Sequence, residues 1–303
     1  MKSSTKWFLI ILAGLVAMGF GLTLLFLVIV KSAGGETEEF QGNGEKIAVV
    51  ELQGEILSSE EIVRQFKKYR EDNQIRGILF RVESPGGGVV ASQEIFEEVK
   101  KTREHGKPVV VSMGALAASG GYYVSCGASR IVANPGTLTG SIGVISEFLR
   151  FDPLLSKLGI EEQTIKSGRY KDAGSPFRKL NPDDRTYFQR LMDDVHRQFI
   201  SVVEKERKLS HSEVVRIADG RVFTGREAAA MGLVDTIGTY EDAIGICAKL
   251  AYIKGEPTLV KERKRGTSLF ERVFGESALS DFLGMKDQLL NKPILQYRMS
   301  HGY

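Results

Sequence analysis

Three short runs that read as strands, at 47–53 (IAVVELQ), 77–82 (GILFRV) and 108–113 (PVVVSM), constrain this chain more than any other feature. Helical periodicity follows the first two: residues 60–68 read as a helix, and so do 92–105, where Ile95, Phe96 and Val99 share a face. Asn181 before Pro182 marks another helix start, running to about Leu209. Its Phe188, Leu191, Met192, Val195, Phe199 and Val202 recur every three or four residues, which predicts one buried face. Repeated strand–turn–helix units predict an α/β domain of mostly parallel strands covered by helices. Further strands are expected at 130–133, 142–146 and 161–166, with the turn-rich NPGTLTG between the first two. A buried helix is expected to open within 115–126, and the domain to end near residue 253.

Composition removes several function classes. With 303 residues, 42% hydrophobic and 26% charged, the chain is neither collagen-like, coiled-coil nor disordered. A net charge of +3 gives no case for a nucleic-acid partner. Two cysteines, Cys126 and Cys247, exclude a disulfide framework or a multi-cysteine metal centre, and their apolar contexts predict buried free thiols. The four histidines form no H-E-x-x-H, so zinc hydrolase chemistry is not expected. No metal and no cofactor is called for.

Residues 7–30 carry no charge, and a helix of about 1.5 Å rise per residue over that length spans a bilayer core of roughly 30 Å. Lys2 and Lys6 precede the run, while Lys31 and then Glu36, Glu38 and Glu39 follow it. The positive-inside rule then places 1–6 in the cytoplasm, 7–30 as a single-pass anchor in the cell membrane, and the remainder outside. A cleaved signal peptide is the competing reading, but its apolar region should be only about 7–15 residues. Residues 31–45 read as a polar, Gly-rich tether, 46–253 as the folded domain and 254–303 as a C-terminal extension.

Three segments carry chemistry. Ser84-Pro85-Gly86-Gly87-Gly88 follows a strand, and its glycines let backbone N–H groups face a ligand, as an oxyanion hole requires. The plain structural alternative is a tight strand-to-helix turn. The loose G-x-G-x-x-A pattern here lacks the acidic residue that a dinucleotide fold needs at the end of the next strand. Second, Ser119 lies in Ala-Ala-Ser-Gly-Gly-Tyr-Tyr, where small neighbours admit a substrate backbone; the alternative is a close helix-packing contact. The nucleophile-elbow pattern G-x-S-x-G fails at Ala117, so an α/β-hydrolase is not supported. Third, Lys171 lies in Ser-Gly-Arg-Tyr-Lys-Asp-Ala-Gly-Ser-Pro, a loop whose lysine is ordinarily solvated. A lysine acting as a base near neutral pH must lose roughly 3 pKa units, about 4 kcal/mol, which only burial or a cationic neighbour supplies.

In order and spacing, SPGGG, AASGGYY and SGxYKDxxSP together resemble the bacterial signal peptide peptidase A or protease IV family over residues 45–253. The single domain behind one anchor is similar to the short form of that family. The resemblance implies a ClpP/crotonase-like fold of repeated strand–strand–helix units. It implies a Ser/Lys dyad, with Ser119 as nucleophile and Lys171 as general base. It also implies an oxyanion hole from the N–H groups of Gly86 and Gly120, and a supporting role for Ser141 beside the lysine; a turn-capping hydroxyl is the alternative for Ser141. Ring oligomers, an octamer for the short form, would bring the serine and lysine together from neighbouring protomers. The implied substrates are peptides, namely signal peptides left in the membrane, with small or apolar side chains beside the cut.

The tail holds a basic cluster at Lys261, Arg263, Lys264 and Arg265, then Leu269, Phe270, Phe274, Leu289 and Leu290. It reads as a solvated, partly helical extension, or as a contact with anionic lipid or a neighbouring protomer. In similar short-form proteins the tail enters the protein's own groove, and the stretch Pro293-Ile-Leu-Gln-Tyr is suited to that. Two other functions compete: a crotonase-like acyl-CoA enzyme, disfavoured by the anchor, and a non-catalytic ring scaffold.

Overall fold

The computed structural model describes residues 44–262 and 296–298, the backbone of 37–41, and residues 14, 18–21 and 23. The expected anchor at 7–30 lies almost wholly outside the described residues; among those described, no helix is long and apolar enough to cross a membrane. The strands, in chain order, are β1 (Thr37–Gln41), β2 (Lys46–Gln53), β3 (Ile75–Ser84), β4 (Gly86–Gly88), β5 (Val109–Ala118), β6 (Arg130–Ala133), β7 (Leu138–Gly140), β8 (Val222–Thr224), β9 (Thr236–Ile237), β10 (Thr258–Glu262) and β11 (Gln296–Arg298). The helices are α1 (Glu60–Glu71), α2 (Val89–Glu104), α3 (Gly120–Ser125), α4 (Asp152–Lys157), α5 (Pro182–Arg207), α6 (His211–Ile217), α7 (Gly225–Ala230) and α8 (Tyr240–Leu250).

The main sheet runs β1-β10-β2-β3-β5-β6-β9 and is parallel from β10 to β9, with β1 antiparallel at one edge. Because β2, β3 and β5 are apolar on both faces, each must be covered twice. Ile47, Val49, Leu79 and Val110 point to one side, against Ala243, Ile244 and Cys247 of α8. Ala48, Val50, Ile78, Phe80 and Val111 point to the other, against α1, α2 and α5 through Phe66, Ile95, Phe96 and Phe199. Each Val, Leu, Ile or Phe among them, fully buried, contributes about 1.5–3 kcal/mol. The expected α/β class with a parallel-rich sheet is therefore found. Both cysteines are buried and unpaired, and burial pushes each thiol up to about 12.

Several local expectations fail for identifiable reasons. The strand expected at 142–146 is absent: Gly140 and Ser141 both have positive φ and turn the chain out of the sheet, leaving a single bridge at Ile145. The strand lies just before it, as β7, inside the stretch read as turns. Residues 161–166 form no strand; they are exposed, with Ile165 fully so, and no strand among the described residues pairs with them. Residues 115–118 continue β5, so the helix opens only at Gly120. The sheet also extends past residue 253, since β10 pairs with β2, and residues 37–41 of the expected tether pair with β10.

Helix α5 has the expected cap: Asn181 Oδ1 accepts from Asp184 N at 2.8 Å, and Asp184 reaches back to Asn181 N. Its C-terminal half is buried through Val195, Phe199 and Val203, whereas Phe188, Leu191 and Met192 are only half-buried. That half-open stripe supports the loop carrying Lys171, where Tyr170 stacks on Tyr187 with ring centroids 4.9 Å apart.

Candidate active site

The polypeptide places SPGGG and AASGG against each other. β3 ends at Ser84, and Gly86 to Gly88 then run as β4 beside Ile56, whose N–H donates to Gly86 O at 2.8 Å and whose carbonyl accepts from Gly88 N at 2.8 Å. A β-carbon at Gly87 would lie 2.3 Å from Ile56 O, and one at Gly86 would lie 2.6 Å from Gly120 N. Both positions also need positive φ, so glycine is required by conformation and by space.

Ser119 occupies the one-residue junction between β5 and α3, with φ 55° and ψ −115°. Such a backbone costs of order 1–3 kcal/mol and persists only when its surroundings hold it. Those surroundings are visible: Ser119 N donates to Gly140 O at 2.8 Å, Ser119 O accepts from Tyr123 N at 2.8 Å, and a β-carbon at Gly121 would lie 2.7 Å from Ser84 O. Ser119 is buried, and its Oγ has no hydrogen-bond partner among the described residues. Ser141 follows Gly140 directly and is also buried, its N–H donating to Arg221 O at 2.9 Å. It lines an open cavity of about 710 Å³ together with His196, Asp219 and Arg298.

A segment of the C-terminal extension lies in this groove. β11 pairs antiparallel with β4, so that Tyr297 opposes Gly87 and Arg298 opposes Gly86. On its other edge, Gln296 exchanges hydrogen bonds of 3.0 and 3.1 Å with Ile145. The Tyr297 carbonyl sits between the two glycine loops, 1.9 Å from where a β-carbon on Gly86 would be and 3.0 Å from one on Gly120. Its ring is fully buried, stacked on Tyr123 at 5.1 Å and packed against Phe199 at 4.7 Å, with the hydroxyl donating to Val195 O at 3.1 Å. Each aromatic pair adds about 0.5–1.5 kcal/mol beyond burial. The Gly86 N–H meanwhile donates to Ser84 Oγ at 3.1 Å.

Lys171 is not part of this assembly within the chain. It is exposed, in a turn closed by Lys171 N donating to Gly168 O at 3.3 Å. Next to it, Asp172 is held by Arg178 Nε at 2.8 Å and by Lys166, and Arg178 also binds Asp184 at the start of α5. These partners, Arg178 first, hold the Asp172 carboxyl well below the usual carboxylate range. Around the same loop, Leu149, Leu154, Leu158, Ile160, Ile165 and Phe177 are exposed.

The profile of peptidase family S49 matches residues 101–254. A protein of Synechocystis sp. provisionally named as a protease is 40% identical over 249 residues, covering 80% of this chain and 90% of that one. The chain belongs to peptidase family S49. A relative in Enterococcus faecium, provisionally named signal peptide peptidase SppA, is 35% identical over 264 residues, covering 83% of this chain and 76% of the relative. Protease 4 of Salmonella typhi is 37% identical over 234 residues, covering 72% of this chain and 38% of that longer protein. Within the S49 segment lie Ser119, Gly120, Ser141 and Lys171; Gly86 lies before it.

Of the residues singled out from sequence, Gly86, Gly120 and Ser119 converge, Ser141 leaves β7 at the register step where Ser119 leaves β5, and Lys171 stands apart. Sequence reasoning missed the aromatic pocket. Within AASGGYY nothing marks Tyr123 for a role, and Phe199 reads only as part of a buried helix face, although together they form the pocket wall. Ile145 was also missed, because its contribution is a backbone edge.

Proposed function

We propose that this protein is a membrane-anchored serine endopeptidase of ClpP/crotonase-like fold that degrades remnant signal peptides with a Ser/Lys dyad. Ser119 Oγ attacks the scissile carbonyl, and the N–H groups of Gly120 and Gly86 stabilise the oxyanion, each such donor being worth about 3–4 kcal/mol. The Gly86 amide exchanges its bond to Ser84 for the developing negative charge. Lys171 takes the hydroxyl proton and returns it to the leaving amine. It comes from a neighbouring copy in a ring, an octamer by family resemblance, and enters beside Ser141 through the open cavity.

The observation that carries this reading is the position of the Tyr297 carbonyl, held between Gly86 and Gly120 by an extended peptide hydrogen-bonded on both edges. A peptide substrate bound in the same way presents its backbone to Ser119 whatever its sequence, as strand addition allows. The pocket holding the tyrosyl ring accepts a large aromatic or apolar side chain before the cut, so the preference extends beyond the small residues expected from sequence. The exposed apolar surface flanking Lys171 supports assembly, since monomers seldom leave such patches uncovered. Membrane anchoring rests on the uncharged run at 7–30 and its flanking lysines.

The test is substitution with assembly monitored. Ser119→Ala and Lys171→Ala should each reduce cleavage of an aromatic-containing peptide by at least about 10³-fold while the particle size in light scattering stays the same. Full activity in either variant refutes the dyad.

A further inference from the structure

We propose that Glu55 and Glu147 form a cation-accepting subsite for the residue immediately after the cut, so that the enzyme favours Arg or Lys there. The inference rests on the peptidase reading and adds a substrate class to it. On that reading the Tyr297 carbonyl, between Gly86 and Gly120, stands for the scissile carbonyl, which puts Arg298 at the position after the cut. Its guanidinium lies 2.7 Å from Glu147 and 3.6 Å from Glu55, and the side chain is only 14% exposed.

The two carboxylates come from opposite walls of the groove. Glu55 precedes Ile56, which hydrogen-bonds the glycine strand β4; Glu147 lies two residues beyond Ile145, which hydrogen-bonds the other edge of the tail. Both therefore flank the backbone contacts that hold an extended guest, Glu55 the more buried of the two. Neither carboxylate has another charged partner among the described residues. When the tail leaves, the two carboxylates face the groove without the Arg298 cation, their one ion-pair partner among the described residues. A guest with Arg or Lys at that position restores the pairing, an alanine leaves it unmet, and a glutamate is repelled.

The experiment uses the full chain and a set of peptides identical except for Ala, Arg or Glu after a single tyrosine, with products identified by mass spectrometry. Competition from the tail lowers all three rates together, so the ratio of kcat/KM values is the readout. The Arg peptide should exceed the Ala peptide by about fivefold or more, with the Glu peptide slowest. The Arg-to-Ala ratio should fall towards one in Glu55→Gln/Glu147→Gln, and in the unaltered enzyme as salt is raised. Equal kcat/KM for Arg and Ala in the unaltered enzyme overturns the subsite, whether or not the double variant folds. Failure to cleave any of the three overturns the peptidase reading instead.

Discussion

Ser119 and Ser141 leave two neighbouring parallel strands at the same step of the register. Ala118 pairs with Gly140, the last residues of β5 and β7, and each serine follows with positive φ, 55° and 52° respectively. The strand pairing fixes the separation of the two hydroxyl-bearing residues through backbone hydrogen bonds, chiefly Ser119 N to Gly140 O at 2.8 Å. The proposed nucleophile and the proposed lysine-positioning serine are thus set by sheet geometry, independently of any loop.

The glycine after Gly120 is a spacer for that geometry. Gly121→Ala would put a methyl 2.7 Å from the Ser84 carbonyl, backbone against backbone, with no flexible side chain to yield. It should lower stability by about 1–3 kcal/mol and reduce peptidase activity further by displacing Ser119. Gly245→Ala, in helix α8 with nothing within 4 Å, should stabilise by about 0.5–1 kcal/mol and leave activity unchanged. Denaturant titration and kcat on both variants check this pair; equal effects would contradict it.

Acid should loosen the lysine loop before it loosens the sheet. Arg178 and Lys166 lower the Asp172 carboxyl, and Arg178 lowers that of Asp184. A depressed carboxylate contributes stability above its unfolded value, about 3.9, and that contribution is lost as pH falls through the lower folded value. Hydrogen exchange at 167–178 should therefore be insensitive to protonation of these groups above about pH 5 and should rise below about pH 4 once the intrinsic exchange rate is corrected. Arg178→Ala should abolish this dependence and expose the loop at neutral pH.

In the proposed reading the tail competes with substrate from within the same chain, so an added peptide must overcome its effective concentration. Tyr297→Asp would place a charge against Tyr123 and Phe199 in a fully buried pocket, which ejects the tail. Activity on an added peptide should rise severalfold at low substrate, mainly through KM. An unchanged KM would mean that the tail does not occupy the groove in solution.

What was legible in the sequence is what depends on local pattern. The segments 47–50 (IAVV) and 109–111 (VVV) are buried on both faces, and their consecutive apolar residues announce it. Asn181-Pro182 is a helix start by local chemistry, and so it was found. Ile142, Val144 and Ile145 look equally like a strand, but the preceding positive-φ pair, Gly140 and Ser141, removes them from the sheet. β10 and β1 escaped because strands added at an edge depend on partners distant in sequence. The converging glycines and Ser119 were readable as motifs; the aromatic wall was not, since Tyr123 and Phe199 meet only through the packing of α3 on α5. Lys171 is readable as a residue type, but it is exposed in the single chain, so the role of base proposed for it needs a neighbour that covers it.

The central claim is that serine and lysine meet across a boundary between copies, and mixing two inactive variants tests it most directly. Ser119→Ala retains its lysine and Lys171→Ala retains its serine, so a ring assembled randomly from equal amounts contains complete sites at about one quarter of its interfaces. Co-refolded or co-expressed mixtures should recover about a quarter of full activity, while each variant alone stays inactive. A mixture as inactive as its components, in particles shown to contain both variants, would contradict the account.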